Sequence, residues 1–265
     1  MSAAAQQTPR VSFDRIAYAY DDYTSHPPAV AAQIGRSIAG IAGDRALVLE
    51  LGIGTARIAR PVADAGCRVI GIDVAHEMLR RARARGFERL VRGNLMQLPL
   101  ADASIDAVLV VHVLHHLGDW RAALAEAMRV LRPGGVMLIG NDWLAPDSCV
   151  RRMRATLRNA VIAARPELKP PGAGAAFGRA LAHLGGIDEP DVVAASWNAR
   201  VSPATLLDRM QSRVHQETWA LDDDTLALAV AAVRADAEAT WVDLDREHEF
   251  ERRFVLTVSR KRAAA

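Results

Sequence analysis

Two acids and two glycines near the start of the chain have the types and spacing of a nucleotide-binding site. Glu50 closes an apolar run, Gly52 and Gly54 follow in a Gly-x-Gly turn, and Asp73 closes the next apolar run. Buried parallel strands have continuous apolar sequences, and a glycine turn lets the backbone approach a ligand at a helix N-terminus. An acid about 20 residues after the glycines is suited to bind the ribose hydroxyls of an adenosine group. We therefore expect an adenosine cofactor at the ends of these two strands.

The residues around the turn narrow the choice of cofactor. Arg57 stands where a dinucleotide-binding turn needs a small residue for close packing of helix against strand. Glu50 precedes the turn, where its carboxylate would repel a pyrophosphate but would suit a cation. The pattern disfavours a nicotinamide dinucleotide and favours a sulfonium with an amino-acid tail. A glycine turn that binds no ligand is the alternative for the turn alone, and Asp73 argues against it.

Four blocks of sequence carry a family resemblance. They are Glu50–Ala59, Gly71–Leu79, Arg92–Leu95 with Leu98–Leu100, and Ser104–Leu117. The segment Leu131–Ile139 adds a turn into a fifth strand. In this order the blocks resemble the class I S-adenosylmethionine-dependent methyltransferases, a broad group that includes the ubiquinone- and menaquinone-type C-methyltransferases. The resemblance covers roughly residues 44 to 141 and gives almost no information about the acceptor.

The resemblance implies roles for individual residues. The implied cofactor is S-adenosylmethionine, with S-adenosylhomocysteine as product and no metal. The implied cofactor-binding residues are Tyr20, Glu50, Gly52, Gly54, Arg57, Asp73, Val74, Met78, Asn94, Leu95 and His112. Ala56 stands where the family often has a third glycine, which implies a mild steric change. Asn94 replaces the usual aspartate that accepts a hydrogen bond from the adenine amino group, and its carbonyl can still accept that bond.

Histidines follow the predicted fourth strand, where a base could lie. His112 ends the strand and His116 lies one helical turn further on, so both are candidate catalytic residues. Imidazole is the side chain best suited to proton transfer near neutral pH. Alignment of a nucleophile with the activated methyl group can drive the reaction without any base. The alternative is therefore that these histidines only cap the turn.

Strands and helices alternate along the chain, which predicts a doubly wound α/β sheet. The resemblance implies a Rossmann-like, seven-stranded sheet whose last strand is antiparallel. Predicted strands lie at 46–51, 68–73, 88–92, 105–111, 135–140, 191–198 and 251–258, and predicted helices include 55–65, 75–85, 119–131 and 148–164.

The sequence predicts four segments with different functions. They are an N-terminal tail with lid helices (1–43), a cofactor-binding core (44–144), a helical acceptor cap after the fifth strand (145–190) and a C-terminal completion of the sheet (191–265). Tyr20 and Tyr23 lie in the lid, where they either line the cofactor cleft or pack an amphipathic helix onto the domain.

Composition limits the partners. The formal net charge of +2 over 265 residues is too small to indicate a polyanion, and the two cysteines have no metal-ligand spacing and fit a reducing compartment. The N-terminus has no secretory signal pattern, and no apolar run is long enough to span a membrane. We expect a cytoplasmic monomer or homodimer that binds a small-molecule acceptor, with no nucleic acid and no membrane.

The expected function is methyl transfer from S-adenosylmethionine to an oxygen, nitrogen or carbon atom of a small molecule. A protein that binds the cofactor for regulation without catalysis is the main alternative. A nucleic-acid methyltransferase is a weaker one. An enzyme that methylates DNA bases would need an Asn/Asp-Pro-Pro-aromatic run after the fourth strand to hold a flipped base, and this chain has Val-His-Val-Leu there.

Overall fold

The computed structural model describes Phe13 and residues 20–166, 175–214, 216–219 and 221–263. Within these residues seven strands form one sheet in the order β3-β2-β1-β4-β5-β7-β6. The strands are β1 (Leu47–Leu51), β2 (Arg68–Asp73), β3 (Leu90–Arg92), β4 (Ile105–Val111), β5 (Leu131–Leu144), β6 (Gly186–Val201) and β7 (His248–Lys261). Strands β1 to β5 pair in parallel, and the last strand is antiparallel. The predicted α/β fold is confirmed.

The helices alternate with the strands. They are α1 (Tyr20–Thr24), α2 (Pro28–Ala42), α3 (Ala59–Asp64), α4 (His76–Ala84), α5 (Trp120–Val130), α6 (Cys149–Ala164), α7 (Ala175–His183), α8 (Pro203–Gln211) and α9 (Asp223–Thr240). Helices α4, α5 and α6 begin and end within one residue of the prediction. Helix α3 begins at Ala59 instead of residue 55, because the glycine turn extends further than predicted. Residues 14–19 of the predicted lid and the segment 167–174 lie outside the described residues.

The larger of two compact units comprises residues 12–142, 173–195 and 254–265. Its core consists of apolar strand residues that are fully buried, such as Leu49, Val108 and Met137. Strand β1 lies between β2 and β4, and Glu50 is in register with Gly71 of β2. A Cβ atom on Gly71 would lie 2.2 Å from Cδ1 of Ile53, so this approach requires glycine. Burial on both sides explains why these strands have continuous apolar sequences.

The smaller unit includes residues 143–166 and most of 196–253, within which α9 packs against α6 and α8. Helix α7 belongs to the larger unit, where the rings of Trp120 and Phe177 lie 4.9 Å apart. The two compact units therefore have different boundaries from the predicted segments 145–190 and 191–265. A cap function for 145–190 stays a prediction. None of the described helices is long and apolar enough to cross a membrane.

Candidate active site

The turn after β1 has backbone conformations that favour glycine. Gly52 and Gly54 have φ angles of 70° and 54°, and a Cβ atom on Gly52 would lie 2.6 Å from Cγ2 of Val113. Ala56 also has a positive φ, of 63°. This conformation costs an L-residue about 1–2 kcal/mol. The alanine that stands at position 56 in place of the family's glycine therefore strains the backbone, which is more than the mild steric change expected from the sequence.

Asp73 ends β2 directly beside this turn. One carboxylate oxygen accepts a hydrogen bond from the backbone N–H of Gly54, and the other accepts one from the N–H of Ala75, both at 2.9 Å. The backbone N–H of Gly93 donates to the carbonyl of Asp73 at 3.0 Å. The predicted ribose acid is thus fixed at the edge where β1, β2 and β3 end.

Glu50 is the second acid of the site, and its environment is unusual. The side chain is buried, and its Oε2 atom has no hydrogen-bond partner among the described residues. Burial raises the pKa of Glu50 to about 8, although the nearby Arg57 cation opposes this and the N–H of Ala59 donates a hydrogen bond to the carboxylate. A buried carboxylate is costly unless it is paired. An ammonium group of a ligand would supply the missing partner.

Tyr20 and Arg57 lie close to these acids. Tyr20 packs against Ala75 and Met78. Burial raises the pKa of Tyr20, while its hydrogen bond to Arg57 acts in the opposite direction. The structure therefore places this tyrosine of the predicted lid beside Arg57 and close to Asp73. The side chain of Tyr23 lies outside the described residues.

A polar cluster ties α1 to the glycine turn. Asp21 accepts hydrogen bonds from the hydroxyl of Thr55 and from the guanidinium of Arg85, both at 2.6 Å. Arg85 also donates to the backbone carbonyl of Thr55 at 2.9 Å. The cluster holds α1 next to the predicted cofactor site, and sequence reasoning did not identify it.

The remaining predicted cofactor residues differ in exposure. Val74 is 66% exposed although it is apolar, whereas Met78 and Leu95 are buried. Asn94 is exposed, and its side-chain oxygen accepts a hydrogen bond from the N–H of Met96 at 3.0 Å. Val74 thus offers an apolar surface next to Asp73, and the carbonyl of Asn94 already stabilises its own turn. An adenine contact through Asn94 stays a prediction.

The two candidate catalytic histidines have different surroundings. His112 follows β4 with a left-handed φ of 53°, and its Nε2 atom lies 3.0 Å from Oδ2 of Asp142. His116 lies in a short 3-10 helix, where its ring contacts Phe13 at a centroid distance of 5.0 Å. Burial, together with the neighbouring His115 and His112, lowers the pKa of His116 to about 3. His116 is therefore a weak base.

Sequence reasoning missed Asp142 and His26. Asp142 lies in β5, two residues beyond the predicted end of that strand at 140, and it follows an apolar run as Asp73 does. His26 lies between α1 and α2 in a His-Pro-Pro segment that indicates only a helix break. Its Nε2 atom lies 3.0 Å from Oδ1 of Asp142. The acid after the apolar run was the available signal for Asp142, and no sequence signal marked His26.

Within the described part of the chain, no group of three or more histidine, cysteine, aspartate or glutamate residues is arranged to hold a metal ion.

Comparison with known proteins agrees with this geometry. Residues 49–139 match the model of a family described as a methyltransferase domain. The matched part of the chain includes Glu50, both turn glycines, Asp73 and His112, but it leaves out Tyr20, His26 and Asp142.

Relatives and solved structures extend the comparison. The chain is 34% identical over 144 residues to a demethylmenaquinone methyltransferase of Tropheryma whipplei, covering 49% of this chain and 57% of that protein. It is 32% identical over 140 residues to the 27-O-demethylrifamycin SV methyltransferase of Amycolatopsis mediterranei, covering 48% and 51%. The YcgJ protein of Bacillus subtilis has the same fold, with a TM-score of 0.58 at 19% identity, over 88% of this chain and 99% of that one. The chain spans about half the length of these two curated relatives.

Proposed function

We propose that this protein transfers the methyl group of S-adenosylmethionine to a small-molecule acceptor. The proposal rests on the methyltransferase domain and on the residues at the ends of β1 and β2. Both relatives named above are methyltransferases of small molecules by name, one a demethylmenaquinone and the other a demethylrifamycin enzyme. The cofactor supplies a methyl group already activated by a sulfonium.

Glu50 is the observation that carries the proposal. Its buried Oε2 atom has no hydrogen-bond partner in the described part of the chain, and its pKa is raised, which supports a role as the counter-ion of a cationic ligand. A glutamate that served only the fold would have both oxygens hydrogen-bonded, since a buried polar atom without a partner destabilises a fold. The amino-acid tail of S-adenosylmethionine carries an ammonium group that can donate hydrogen bonds to this oxygen.

The residues of the site have separate tasks in binding. Asp73 would hold the ribose hydroxyls with a carboxylate that is already oriented by the glycine turn. The positive φ angles of Gly52 and Gly54 let the backbone approach the ligand without a Cβ in the way. Val74 would cover one face of the adenine, and Tyr20 would cover the site from the lid.

A regulatory protein that only binds the cofactor would show the same Glu50 and Asp73. Titration calorimetry with S-adenosylmethionine and S-adenosylhomocysteine, followed by a methyl-transfer screen on small molecules, separates the two functions. We expect both ligands to bind and at least one acceptor to be methylated. The absence of binding would contradict the proposal.

Asp73→Ala should weaken the binding of S-adenosylhomocysteine at least about tenfold, since hydrogen bonds to a charged group contribute about 1.5–3 kcal/mol. Titration calorimetry on the folded variant, checked by circular dichroism, measures this loss. Asp64→Ala is the control. The side chain of Asp64 is exposed on α3, where it pairs with Arg60, so this substitution should leave the affinity unchanged. Unchanged affinity in folded Asp73→Ala would refute the ribose assignment.

We also propose that the acceptor is a small molecule, that the reaction needs no metal, and that the protein acts in the cytoplasm as a monomer or a homodimer. The free and buried Cys67 and Cys149 support a reducing compartment.

A further inference from the structure

Four side chains of the larger unit form a continuous row that ends at His112. Nη1 of Arg57 lies 3.2 Å from Nδ1 of His26. Nε2 of His26 lies 3.0 Å from one carboxylate oxygen of Asp142, and the other oxygen lies 3.0 Å from Nε2 of His112. The row brings together the glycine turn, the segment before α2, strand β5 and the exit of β4.

The guanidinium of Arg57 and the carboxylate of Asp142 together set the direction of every hydrogen bond in the row. A guanidinium can only donate, so Nδ1 of His26 must accept and the proton of this ring must lie on Nε2. That N–H donates to Asp142, whose ionised carboxylate only accepts. His112 must therefore also donate from Nε2, which leaves the lone pair of its ring on Nδ1.

The row is built into the fold. The side chain of His26 is 1% exposed, and its ring packs at 5.5 Å against the ring of Phe254. Burial by itself would raise the pKa of Asp142, but the hydrogen bonds from His112 and His26 hold it well below the usual range. The side chain of His112 is 29% exposed, so part of it is open to solvent. The left-handed backbone of His112 is a local strain of the kind found at functional sites.

We propose that Asp142 and His26 are positioning residues that present Nδ1 of His112 as the proton acceptor for a hydroxyl group of the acceptor molecule. This inference rests on the proposed methyltransferase function and adds the acceptor class to it. A hydroxyl loses its proton during methylation, whereas a neutral amine or a carboxylate already has a free lone pair. A positioned base is therefore useful for a hydroxyl and unnecessary for the other two.

The hydroxyl proton passes to Nδ1 of His112, and an oxygen electron pair forms the new carbon–oxygen bond. The methyl–sulfur bond breaks, and its electrons remain on sulfur. Asp142 stabilises the imidazolium of His112 until that ring releases its proton to solvent.

Nitrogen-15 NMR of histidine-labelled protein tests the row without any acceptor. In the wild type at pH 7.5, with S-adenosylhomocysteine added, we expect His112 and His26 each to carry their proton on Nε2. Signals are assigned from His112→Gln and His26→Gln. In Asp142→Asn, whose amide can donate to the ring, His112 should shift towards the Nδ1-protonated form. A wild-type His112 that carries its proton on Nδ1 would overturn the inference.

Turnover tests the acceptor class and the positioning role. We expect methylation of compounds in a panel of phenols and aliphatic alcohols, and none of primary amines and carboxylic acids of matched shape. Asp142→Asn should lower kcat about 100-fold or more while the affinity for S-adenosylhomocysteine changes less than threefold. Full activity in Asp142→Asn, or activity on the amines alone, would overturn the inference.

His26 offers a matched pair of variants. The amide of His26→Gln can accept from Arg57 and donate to Asp142, so this variant should keep turnover within about fivefold, whereas His26→Leu should resemble Asp142→Asn. Equal losses in both would show that His26 acts only by packing. If His26→Leu does not fold, the comparison of His26→Gln with Asp142→Asn decides. Failure of the wild type to bind S-adenosylhomocysteine would instead refute the proposed function.

Discussion

Glu50→Gln should weaken the binding of S-adenosylhomocysteine about 30-fold or more at pH 8. Removing one partner of a buried, hydrogen-bonded charge pair costs about 2–5 kcal/mol, and 2 kcal/mol corresponds to about 30-fold in affinity. The ammonium of the ligand would then face a neutral amide in place of the buried Oε2 of Glu50, which has no partner among the described residues. Titration calorimetry on both proteins measures the difference.

The same substitution should stabilise the protein without ligand. The folded pKa of Glu50, about 8, lies above the ordinary value of 4.5, so the unfolded chain releases this proton first. The carboxyl therefore favours the fold at low pH, and this advantage is lost as pH rises through 8. Compared with the Glu50→Gln variant, the wild type should lose up to about 1.4 kcal/mol of unfolding free energy for each pH unit between about pH 5 and 8.

Glu126→Gln is the matched control for this pH dependence. Hydrogen bonding to Arg129 lowers the pKa of Glu126, so its contribution to stability is lost only at low pH and is constant between pH 6 and 8. Denaturant unfolding at pH 6, 7 and 8 compares the three proteins. A Glu50→Gln variant that binds the ligand normally, or that shows no gain in stability towards pH 8, would contradict the role of Glu50 as the counter-ion.

His112→Gln should lower turnover about 100-fold or more, and His116→Gln should lower it far less. A base works best when its pKa lies near the working pH, and the pKa of His116, about 3, is far too low. His116→Gln should act mainly through the lost packing against Phe13. Steady-state kinetics with an acceptor from the panel, together with the affinity for S-adenosylhomocysteine, separates loss of catalysis from loss of binding.

Near-wild-type turnover in both variants would exclude base catalysis by these histidines. Alignment of the acceptor with the methyl group would then be the mechanism. A larger loss in His116→Gln than in His112→Gln, at unchanged cofactor affinity, would show that the row ending at His112 does not supply the base.

Much of the fold was predictable because it depends on local patterns. Strands β1, β2 and β4 are buried apolar runs that end in polar residues or a glycine turn, and the prediction placed each within one residue. Helices α8 and α9 begin after Ser202 and Asp222, whose side chains cap the first turn and are local signals of a helix start. Parallel strands that end at one edge then bring Glu50 and Asp73 together by topology alone.

The parts that were missed depend on contacts between distant residues. Asp142 contacts His26 across 116 positions and His112 across 30, and no local pattern records such pairs. Strands β5 to β7 are longer than predicted. The prediction identified only their apolar central parts, and each strand continues into alternating or polar sequence, such as residues 141–144 in β5. His112 and His116 look equivalent in sequence, and the contact of His112 with Asp142 and the burial of His116 distinguish them only in the structure.

A crystal structure of the protein with S-adenosylhomocysteine would show whether Glu50 and Asp73 bind the cofactor. We expect the ligand at the ends of β1 and β2, with its ammonium within hydrogen-bonding distance of Oε2 of Glu50 and its ribose hydroxyls on the carboxylate of Asp73. Ligand bound elsewhere, or bound there with neither carboxylate in contact, would refute both assignments.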